Sequence, residues 1–514
     1  MTLIQWFVFF LIVQVVHFLG TWKLYEAAGR KKWEAAIPVY NAVVLMKIIN
    51  RSPWWTILLF VPVINLIMFP VVWVETLRSF GKNSTLDTIL GIFTFGFYIY
   101  YLNYTQKLVY IENRSLEPST KTADTIGSLL YATVVATLVH TYVMQPYTIP
   151  TSSLEKSLLV GDFLFVSKFH YGARTPMTPI AAPMVHDTLP LINVKSYSRL
   201  PQLPYFRFFS MQEVNRTDIV VFNWPADTLY NMYKTADKRY DKPIDKKTNY
   251  VKRCVGIPGD SLSIKEGIVY VNGTILPMPE RSKPQYSYMV TTDGTGFDPS
   301  YLSSELNITD GVYQNTENTF YFRALTEESA NRLKLNPTVK SVVRNVSHEP
   351  EAAIFPYNTK WNLDNFGPVY IPKKGVTVAL NIQSLPFYKK IISEYEKNEL
   401  KVIGNEIRIN GKITTSYTFK QNYYWMMGDN LHNSLDARYF GYTPEDHIVG
   451  KPVFIWMSLD PNGKGLNKIR WDRMFTTVSG KGQPQSYFKF FLFALIAYFG
   501  ISYFVRKRKE NKNN

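Results

Sequence analysis

The chain has 514 residues, a formal net charge of +17 and a hydrophobic fraction of 46%. This length exceeds that of one ordinary domain and predicts two or three units. Almost purely apolar stretches alternate with stretches rich in Lys, Asp, Tyr and Asn, which indicates a membrane protein with a sizeable soluble part. The clearest basic cluster, residues 506–509, directly follows an apolar run, so the charge favours anionic lipid over nucleic acid as a partner.

The cysteine and histidine content limits the chemistry that the chain can use. Cys254 is the one cysteine, so the chain cannot form an intrachain disulfide. No cluster of Cys or His has the spacing of metal ligands, and we expect neither a metal nor another cofactor. The soluble part must therefore be stabilised by its hydrophobic core.

Five apolar runs approach the length of a membrane-spanning helix, which needs roughly 20 residues. In chain order they are residues 3–19, 54–74, 86–102, 126–145 and 487–505. The first run lacks a basic lead and a cleavage site, so we interpret it as a retained helix and not as a removed signal peptide.

Lys and Arg residues predict the orientation of these runs, because they are enriched in cytoplasmic loops. Five spans with an external amino terminus place residues 30–32, residues 107–121 and the basic tail in the cytoplasm, and the long region between the fourth and fifth runs outside it. The same scheme places Arg78 and Lys82 outside, against the rule. It therefore remains open whether the second or third run spans the membrane or is re-entrant.

Between the fourth and fifth runs, short segments of Val, Ile, Phe and Tyr are separated by Gly, Pro and Asn-Gly pairs. Four of these segments predict strands, namely residues 219–222, 268–271, 376–380 and 453–457. The pairs Asn272-Gly273 and Asn410-Gly411 each separate two such segments and predict two-residue hairpin turns. We therefore predict a mainly antiparallel β fold with loops long enough to form a binding groove.

A candidate nucleophile directly follows the fourth apolar run, in the sequence Ile149-Pro150-Thr151-Ser152-Ser153. Small hydroxyl residues after proline ordinarily mark only a turn. Three later segments change this interpretation: residues 216–222, residues 250–260 with Lys252-Arg253, and residues 427–438 with Gly428-Asp429-Asn430.

Together and in this order, the four segments resemble the type I signal peptidases of bacteria, a family of membrane-anchored serine proteases. That family has its serine in a Pro-Ser-Gly-Ser-Met-x-Pro-Thr-Leu box and its lysine in a Lys-Arg-x-x-Gly-x-Pro-Gly-Asp box. A last box reads Gly-Asp-Asn-x-x-x-Ser-x-Asp-x-Arg. The resemblance covers residues 126–460, and Ser152 and Lys156 depart from the first box, where the family has glycine and proline.

The resemblance implies a role for each matched residue. Ser153 is the expected nucleophile and Lys252 its general base. Ser434 is expected to orient the Lys252 ammonium, and the Thr151 hydroxyl to join the Ser153 backbone N–H in the oxyanion hole. The remaining polar residues of the last box are expected to support the site structurally and not to transfer protons; they are Asp429, Asn430, Asp436 and Arg438.

Lys252 can act as a base only when it is neutral, although the pKa of a free lysine is ~10.4. Burial in apolar surroundings lowers the pKa of a lysine by several units. Val251 and residues 255–257 flank Lys252 and predict a buried strand, with Arg253 on the opposite face. The alternative is a surface lysine on an edge strand.

Two other residues could be mistaken for catalytic groups. Histidine is the usual proton acceptor in serine proteases, and His432 lies inside the last box. We interpret His432 as a loop residue, because the matched site does not need a histidine. We interpret Cys254 as a small buried hydrophobic residue and not as a nucleophile.

The predicted organisation has a membrane part, a catalytic part and an insert. In chain order, these are a membrane domain of about three spans (1–122), a transmembrane anchor (123–146), a catalytic β domain in two pieces (147–272 and 424–482) around a β-rich non-catalytic insert (273–423), a C-terminal transmembrane helix (486–505) and a basic cytoplasmic tail (506–514).

The resemblance implies a signal peptidase that cleaves exported preproteins at the outer face of the bacterial cytoplasmic membrane, after small residues. Its expected partners are signal peptides and the lipid bilayer, with no nucleic acid and no metal. Ser153 follows the fourth run by eight residues, which keeps it within roughly 30 Å of the bilayer. The alternatives are a self-cleaving Ser-Lys regulator, a membrane scaffold with an inactive peptidase fold, and a transporter.

Overall fold

The computed structural model describes residues 2–118, 120–230, 238–357 and 359–513. The chain forms two compact units. The helical unit comprises Met1–Val143, Ala173–Phe208 and Thr228–Lys247. The β unit comprises Met144–Gly172, Phe209–Asp227 and Thr248–Asn514.

The α-helices are concentrated at the two ends of the chain. In chain order they are α1 (Leu3–Ala27), α2 (Tyr40–Ile48), α3 (Trp55–Leu58), α4 (Asn65–Ser79), α5 (Thr85–Phe93), α6 (Phe97–Thr105), α7 (Lys121–Leu138), α8 (Glu327–Leu333), α9 (Leu385–Lys390), α10 (Ala437–Phe440) and α11 (Phe488–Asn513). Helix α1 begins where the Thr2 hydroxyl accepts the Gln5 N–H at 3.2 Å, because a side-chain oxygen satisfies a free N–H of the first turn.

Three helices among the described residues are long and apolar enough to cross a membrane: Leu3–Ala27, Lys121–Val143 and Phe488–Arg508. They coincide with the first, fourth and fifth predicted runs. The second run, whose spanning was left open, is not one continuous helix, since α3 and α4 are separate helices. Pro62 lies in the break and lacks the N–H that a continuous helix requires, and Val63 has a φ of 70°.

The third predicted run is also not a straight helix. It is the pair α5 and α6, whose axes are bent by 118°. Gly96 has a φ of 82° at this bend, a conformation that glycine adopts without steric cost. The described residues therefore contain three helices of spanning length, or four if the bent pair crosses as one span.

The β unit is built from antiparallel strands. They are β1 (Met144–Thr148), β2 (Asp162–Ser167), β3 (Ile219–Asn223), β4 (Asn249–Gly256), β5 (Ser261–Lys265), β6 (Ile268–Val271), β7 (Thr274–Ile275), β8 (Gln285–Thr292), β9 (Val312–Thr316), β10 (Thr319–Thr326), β11 (Val339–Arg344), β12 (Phe366–Tyr370), β13 (Thr377–Ala379), β14 (Leu400–Ile403), β15 (Glu406–Ile409), β16 (Lys412–Ile413), β17 (Ser416–Thr418), β18 (Tyr423–Met427), β19 (Thr443–Pro444), β20 (Ile448–Ser458) and β21 (Thr476–Thr477). All ladders between these strands are antiparallel, which confirms the predicted fold class.

Both predicted Asn-Gly hairpins are confirmed. Asn272 joins β6 to β7 with a φ of 52°, and Asn410 joins β15 to β16 with a φ of 51°. These positive angles are the ones that a two-residue hairpin turn needs, which is why the local sequence sufficed to predict the turns.

The largest sheet has eight strands in the order β1-β2-β20-β3-β4-β18-β19, with β21 paired to β20. Both of its faces are covered near β3. Val220 and Phe222 belong to one hydrophobic core, whereas Ile219 and Val221 belong to another on the opposite face. Lys252 on β4 pairs with Val220 on β3. The fold therefore places this lysine in the middle of a sheet that is buried on both sides.

Part of the predicted insert has a core of its own. Strands β11-β8-β10-β9 form a four-stranded sheet. Its core contains Val290 on β8, Phe322 on β10 and Leu333 on α8. A separate core means that this sheet can act as a rigid support for whatever its loops contact.

Gly161 closes the loop that contains Ser153. Its N–H donates to the Ile149 carbonyl at 2.9 Å, and its own carbonyl accepts the Leu459 N–H at 2.9 Å. Its φ is 89°, and a Cβ atom at this position would overlap the Leu459 carbonyl oxygen. Only glycine fits this junction of the loop, β2 and the segment after β20.

We predict that Gly161→Ala lowers the free energy of unfolding by about 3 kcal/mol, because it adds a backbone overlap to the cost of a positive φ. Gly273→Ala is the matched control. Gly273 also has a positive φ, 84°, but it has open space around its Cβ position. The control should lose only about 1 kcal/mol. Thermal unfolding followed by circular dichroism in one detergent compares the two variants, and equal losses would contradict the overlap.

Candidate active site

The loop between β1 and β2 presents Ser153. Residues Ser152–Leu154 form a short 3-10 turn, and the Leu158 N–H donates to the Leu154 carbonyl at 2.7 Å. Leu154 and Leu158 are both buried in the core under this loop. The two leucines therefore anchor the turn, and Ser153 itself is buried with 7% of its surface exposed.

Lys252 and Ser153 lie in direct contact although 99 positions separate them in the sequence. The Lys252 Nζ donates to the Ser153 Oγ at 2.5 Å. Lys252 is only 4% exposed, because β4 lies between β3 and β18 in the largest sheet. The alternative of a surface lysine on an edge strand is therefore excluded.

Burial lowers the pKa of Lys252 to about 8. The Asp436 and Asp429 carboxylates oppose this effect, and the Arg438 guanidinium adds to it. With a pKa near this value, about a tenth of the molecules hold a neutral amine at pH 7. The site can thus supply an uncharged base without a metal or a histidine.

Asp436 and Arg438 form a fully buried ion pair behind Lys252. Arg438 donates from Nη2 to Asp436 Oδ2 at 2.8 Å and from Nε to Oδ1 at 2.9 Å. The Gly428 N–H donates to Asp436 Oδ2 at 3.1 Å, and Arg438 Nη2 donates to the Leu431 carbonyl at 2.6 Å. Burial alone would raise the pKa of Asp436, but Arg438 and Gly428 hold it below its ordinary value. The pair folds residues 428–438 back on themselves.

A second buried ion pair connects three of the motifs. Arg253 donates from Nε to Asp429 Oδ1 at 2.7 Å and from Nη2 to Oδ2 at 2.6 Å. Ser157, from the loop of the nucleophile, donates to Asp429 Oδ2 at 2.5 Å. Arg253 and Lys252 are neighbours on β4 but have different partners, as expected from the alternation of side chains along a strand.

Asn430 and Asn433 hold the backbone around Ser153. The Asn430 N–H donates to the Ser153 carbonyl at 3.1 Å, and its Nδ2 donates to the Ser152 carbonyl at 3.2 Å. Asn433 Nδ2 donates to the Ser152 Oγ at 2.8 Å. Asn433 was not among the predicted site residues, although its position inside the last box was a signal that could have indicated it.

Ser434 and Thr151 are near Ser153, and Ser434 does not make the contact to Lys252 that the resemblance implies. The Ser434 Oγ is buried and has no hydrogen-bond partner among the described residues, so it does not bond Lys252. Lys252 Nζ is directed at Ser153 instead. Thr151 directly precedes the 3-10 turn, with an exposed side chain and an extended backbone.

His432 and Cys254 have other roles. His432 Nδ1 accepts the Ser287 N–H at 3.1 Å, and its Nε2 lies 3.0 Å from Asp364 Oδ1. With Nδ1 as an acceptor, Nε2 carries the proton and donates to the carboxylate, so neither ring nitrogen is available as a base. Cys254 is fully buried, and burial raises the pKa of its thiol well above the ordinary value.

Comparison with known proteins identifies relatives for two parts of the chain. The family "Signal peptidase, peptidase S26" matches residues 102–328 and 369–457, and a family of unknown function, DUF5684, matches residues 33–113. Signal peptidase I of Buchnera aphidicola subsp. Schizaphis graminum is 27% identical over 361 residues, covering 67% of this chain and 80% of that protein. Signal peptidase I of Haemophilus influenzae is 23% identical over 377 residues, covering 71% and 79%.

The two ranges matched by the peptidase S26 family cover more than half of the chain and contain Ser153, Lys252 and the whole of the last motif. The helices of spanning length agree with an enzyme that is bound to a membrane. The chain therefore belongs to the signal peptidase family, peptidase S26, and is a serine endopeptidase with transmembrane helices.

Proposed function

We propose that this enzyme removes signal peptides from exported preproteins, with Ser153 as the nucleophile and Lys252 as the general base. One observation carries the assignment of the two residues. The Lys252 Nζ and the Ser153 Oγ are 2.5 Å apart in a buried site, where the pKa of the lysine falls to about 8. Relatives named signal peptidase I support the choice of substrate.

The proposed reaction begins with a neutral Lys252, whose lone pair accepts the proton of the Ser153 hydroxyl as Oγ attacks the scissile carbonyl. The Lys252 ammonium then gives this proton to the leaving amine, and the acyl-enzyme remains on Ser153. The mature protein leaves as this amine. Neutral Lys252 next removes a proton from water, whose oxygen attacks the ester, and the Lys252 ammonium returns the proton to the Ser153 Oγ as the signal peptide leaves with a new carboxyl terminus. The mechanism requires no cofactor.

Two hydroxyl groups have proposed supporting roles. Ser434 Oγ is a buried acceptor without a partner among the described residues, so it is free to bond the Lys252 ammonium that forms during the reaction. Catalytic hydrogen bonds are often incomplete before substrate binds. We assign the oxyanion hole to the Ser153 N–H and the Thr151 hydroxyl.

We propose that the membrane anchor delivers the active site to its substrate. After α7, residues Val139–Val143 form one π-helical turn, and β1 follows directly at Met144. Residues 123–146 then serve as the anchor, residues 147–272 and 424–482 as the catalytic domain, and residues 273–423 as its insert. The short connection from the anchor to Ser153 suits a cleavage site that directly follows an apolar signal helix.

The helical unit supports a revised orientation in the membrane. Arg51, Arg78 and Arg114 all bond one carboxylate, that of Glu75 at the end of α4. We infer from this shared carboxylate that the three arginines lie on one side of the membrane. The five-span scheme placed Arg78 outside and Arg114 inside, so we propose a different orientation in its place.

The opposite end of the helical unit is defined by contacts with residues 173–208. Trp6 donates to the Gln202 carbonyl at 3.1 Å, and Val63 packs against Ala181 and Tyr197. Helix α1 covers about 26 Å between Trp6 and Lys23, close to the thickness of a bilayer core. We propose that this end is extracytoplasmic and that the arginine end is cytoplasmic.

The pair α5 and α6 is then a re-entrant hairpin. Helix α5 begins just after α4 ends, and α6 ends where the Tyr104 hydroxyl bonds the Leu19 carbonyl at 2.8 Å near Lys23. The Ile111 N–H also donates to the Ser79 carbonyl at 2.9 Å. In this orientation both ends of the hairpin lie at the cytoplasmic end of the unit. Lys82 is then cytoplasmic, as expected from the enrichment of Lys and Arg in cytoplasmic loops.

Ser153→Ala and Lys252→Ala should each lower the cleavage of a preprotein with an Ala-x-Ala site by roughly 10⁴-fold or more, because each removes one half of the reacting pair. Lys246→Ala is the matched control. Lys246 is also buried with a pKa lowered by burial, but its ammonium bonds the Val185 carbonyl. Full activity of either site variant would refute the mechanism, and an inactive wild type would favour a scaffold.

The pH dependence of kcat/KM should show an acidic limb with a midpoint near the Lys252 pKa of about 8. Activity falls below this pH because the protonated amine cannot accept the serine proton, and it reaches a plateau above it. A midpoint near 10.5 would indicate an unburied lysine. A midpoint near 6.5 that disappears in His432→Gln would indicate a histidine base instead.

Single-cysteine labelling tests the orientation, because the native Cys254 is buried. In right-side-out vesicles, an impermeant maleimide should label Leu191→Cys, whose side chain is 99% exposed at the extracytoplasmic end. It should label Lys82→Cys only after permeabilisation. Labelling of Lys82→Cys in intact vesicles would restore the five-span orientation.

A further inference from the structure

A short segment of the insert, residues 307–310, contacts the loop of the nucleophile. Ile308 is buried in the core of the insert sheet, and its N–H donates to the Leu302 carbonyl at 2.8 Å. This anchor fixes the segment to the insert. The polar side chains on either side of Ile308 are directed at the catalytic motifs.

Asp310 bonds the two amides that hold the nucleophile turn. Its Oδ2 accepts Asn430 Nδ2 at 2.7 Å, and its Oδ1 accepts Asn433 Nδ2 at 3.3 Å. Each amide nitrogen has two protons, and each uses the second one on Ser152. Asn430 bonds the Ser152 carbonyl and Asn433 the Ser152 Oγ.

The carboxylate of Asp310 strengthens the orientation of the Asn430 amide. The Asp310 carboxylate and the Ser152 carbonyl both only accept hydrogen bonds, so both favour the Asn430 NH2 group between them, and the contact to Asp310 is the shorter one. The Asn430 Oδ1 is buried without a partner among the described residues, so this oxygen does not hold the side chain in place. Removing Asp310 would leave the longer contact to the Ser152 carbonyl as the remaining hydrogen bond of this NH2 group among the described residues.

The orientation of the Ser152 carbonyl fixes the orientation of the Ser153 N–H. Both belong to one planar trans peptide group, in which C=O and N–H point in opposite directions. The Asn430 N–H restrains the next peptide group through the Ser153 carbonyl at 3.1 Å. A rotation of the first peptide plane would therefore move the oxyanion donor away from the reacting carbonyl.

We infer that Asp310 is a positioning residue that aims the Ser153 N–H of the oxyanion hole through Asn430 and Asn433. This inference rests on the proposed function and gives the insert a part in catalysis. The effect appears in the transition state, when negative charge develops on the carbonyl oxygen, and little of it appears in substrate binding.

The same segment offers a matched control. Asn307 Oδ1 and Thr309 Oγ1 accept hydrogen bonds from Lys156 Nζ at 3.1 and 3.0 Å. These contacts also connect the insert to the nucleophile loop, but they do not involve the peptide groups of Ser152 or Ser153. Asn307→Ala therefore removes an insert contact without releasing the oxyanion donor.

The test compares Asp310→Ala, Asp310→Asn and Asn307→Ala in the full-length enzyme with a preprotein substrate. Asp310→Ala should lower kcat about 10- to 100-fold, less than the full loss of an oxyanion donor, with KM nearly unchanged. The kcat of Asp310→Asn, which retains one acceptor oxygen, should lie between that of Asp310→Ala and that of the wild type. Asn307→Ala should stay close to the wild type, and the midpoint of the acidic limb should not move in any variant.

A peptide aldehyde with the same Ala-x-Ala sequence provides a second readout. It adds to the serine hydroxyl and forms a tetrahedral hemiacetal, so its inhibition constant should rise in Asp310→Ala by the same factor as kcat falls. The inference would be overturned if Asp310→Ala changed only KM, or if it shifted the midpoint of the acidic limb. It would also be overturned if kcat fell only as much as in Asn307→Ala and the inhibition constant of the aldehyde did not change.

Thermal unfolding in the same detergent shows whether Asp310→Ala is folded. If it is not folded, the kcat and the aldehyde inhibition constant of Asp310→Asn, which keeps the volume of the side chain, test the inference. Failure of the proposed function has a separate signature, because then the wild type is inactive or Ser153→Ala is active. An active wild type, an inactive Ser153→Ala and an unaffected Asp310→Ala would reject only the role of Asp310.

Discussion

The burial of a single amine, that of Lys252, is the constraint on which the rest of the site depends. The general base that we propose must lose its charge near neutral pH, so no unneutralised carboxylate can lie against it. The two carboxylates that act on it, Asp436 and Asp429, are each bound by a guanidinium of their own, from Arg438 and Arg253. Each pair is close to neutral as a whole, and burial therefore dominates the pKa of the lysine.

The same ion pairs build the backbone of the site. A buried ion pair is stable only when its remaining hydrogen-bonding groups are satisfied. Asp436 uses the Gly428 N–H and Asp429 uses the Ser157 hydroxyl, so the pairs connect the last motif to itself and to the nucleophile loop. The two carboxylates that would otherwise raise the pKa of Lys252 thus also hold the loop of Ser153 in place.

Local patterns predicted the parts of this architecture that depend on few residues. The Asn-Gly hairpins and the strand at residues 219–222 follow from turn chemistry and alternation, and the motifs named Ser153 and Lys252 as partners. Hydropathy could not show the break near Pro62 or the bend at Gly96, because both change the direction of an apolar run and not its composition. Asp310 was not predicted, since it meets Asn430 across 120 positions with no local pattern to mark it.

The insert explains why a nucleophile in a short loop can be held accurately. Leu154 anchors the turn from below through the hydrophobic core, and Asn430 restrains its carbonyls from the side. A neutral amide has a donor end and an acceptor end of similar shape, so packing alone does not fix which end faces Ser152. The Ser152 carbonyl and the Asp310 carboxylate both favour the donor end, and Ile308 anchors the segment of Asp310 to a separate core. The restraint on the peptide group between Ser152 and Ser153 therefore comes in part from the insert, outside the matched motifs.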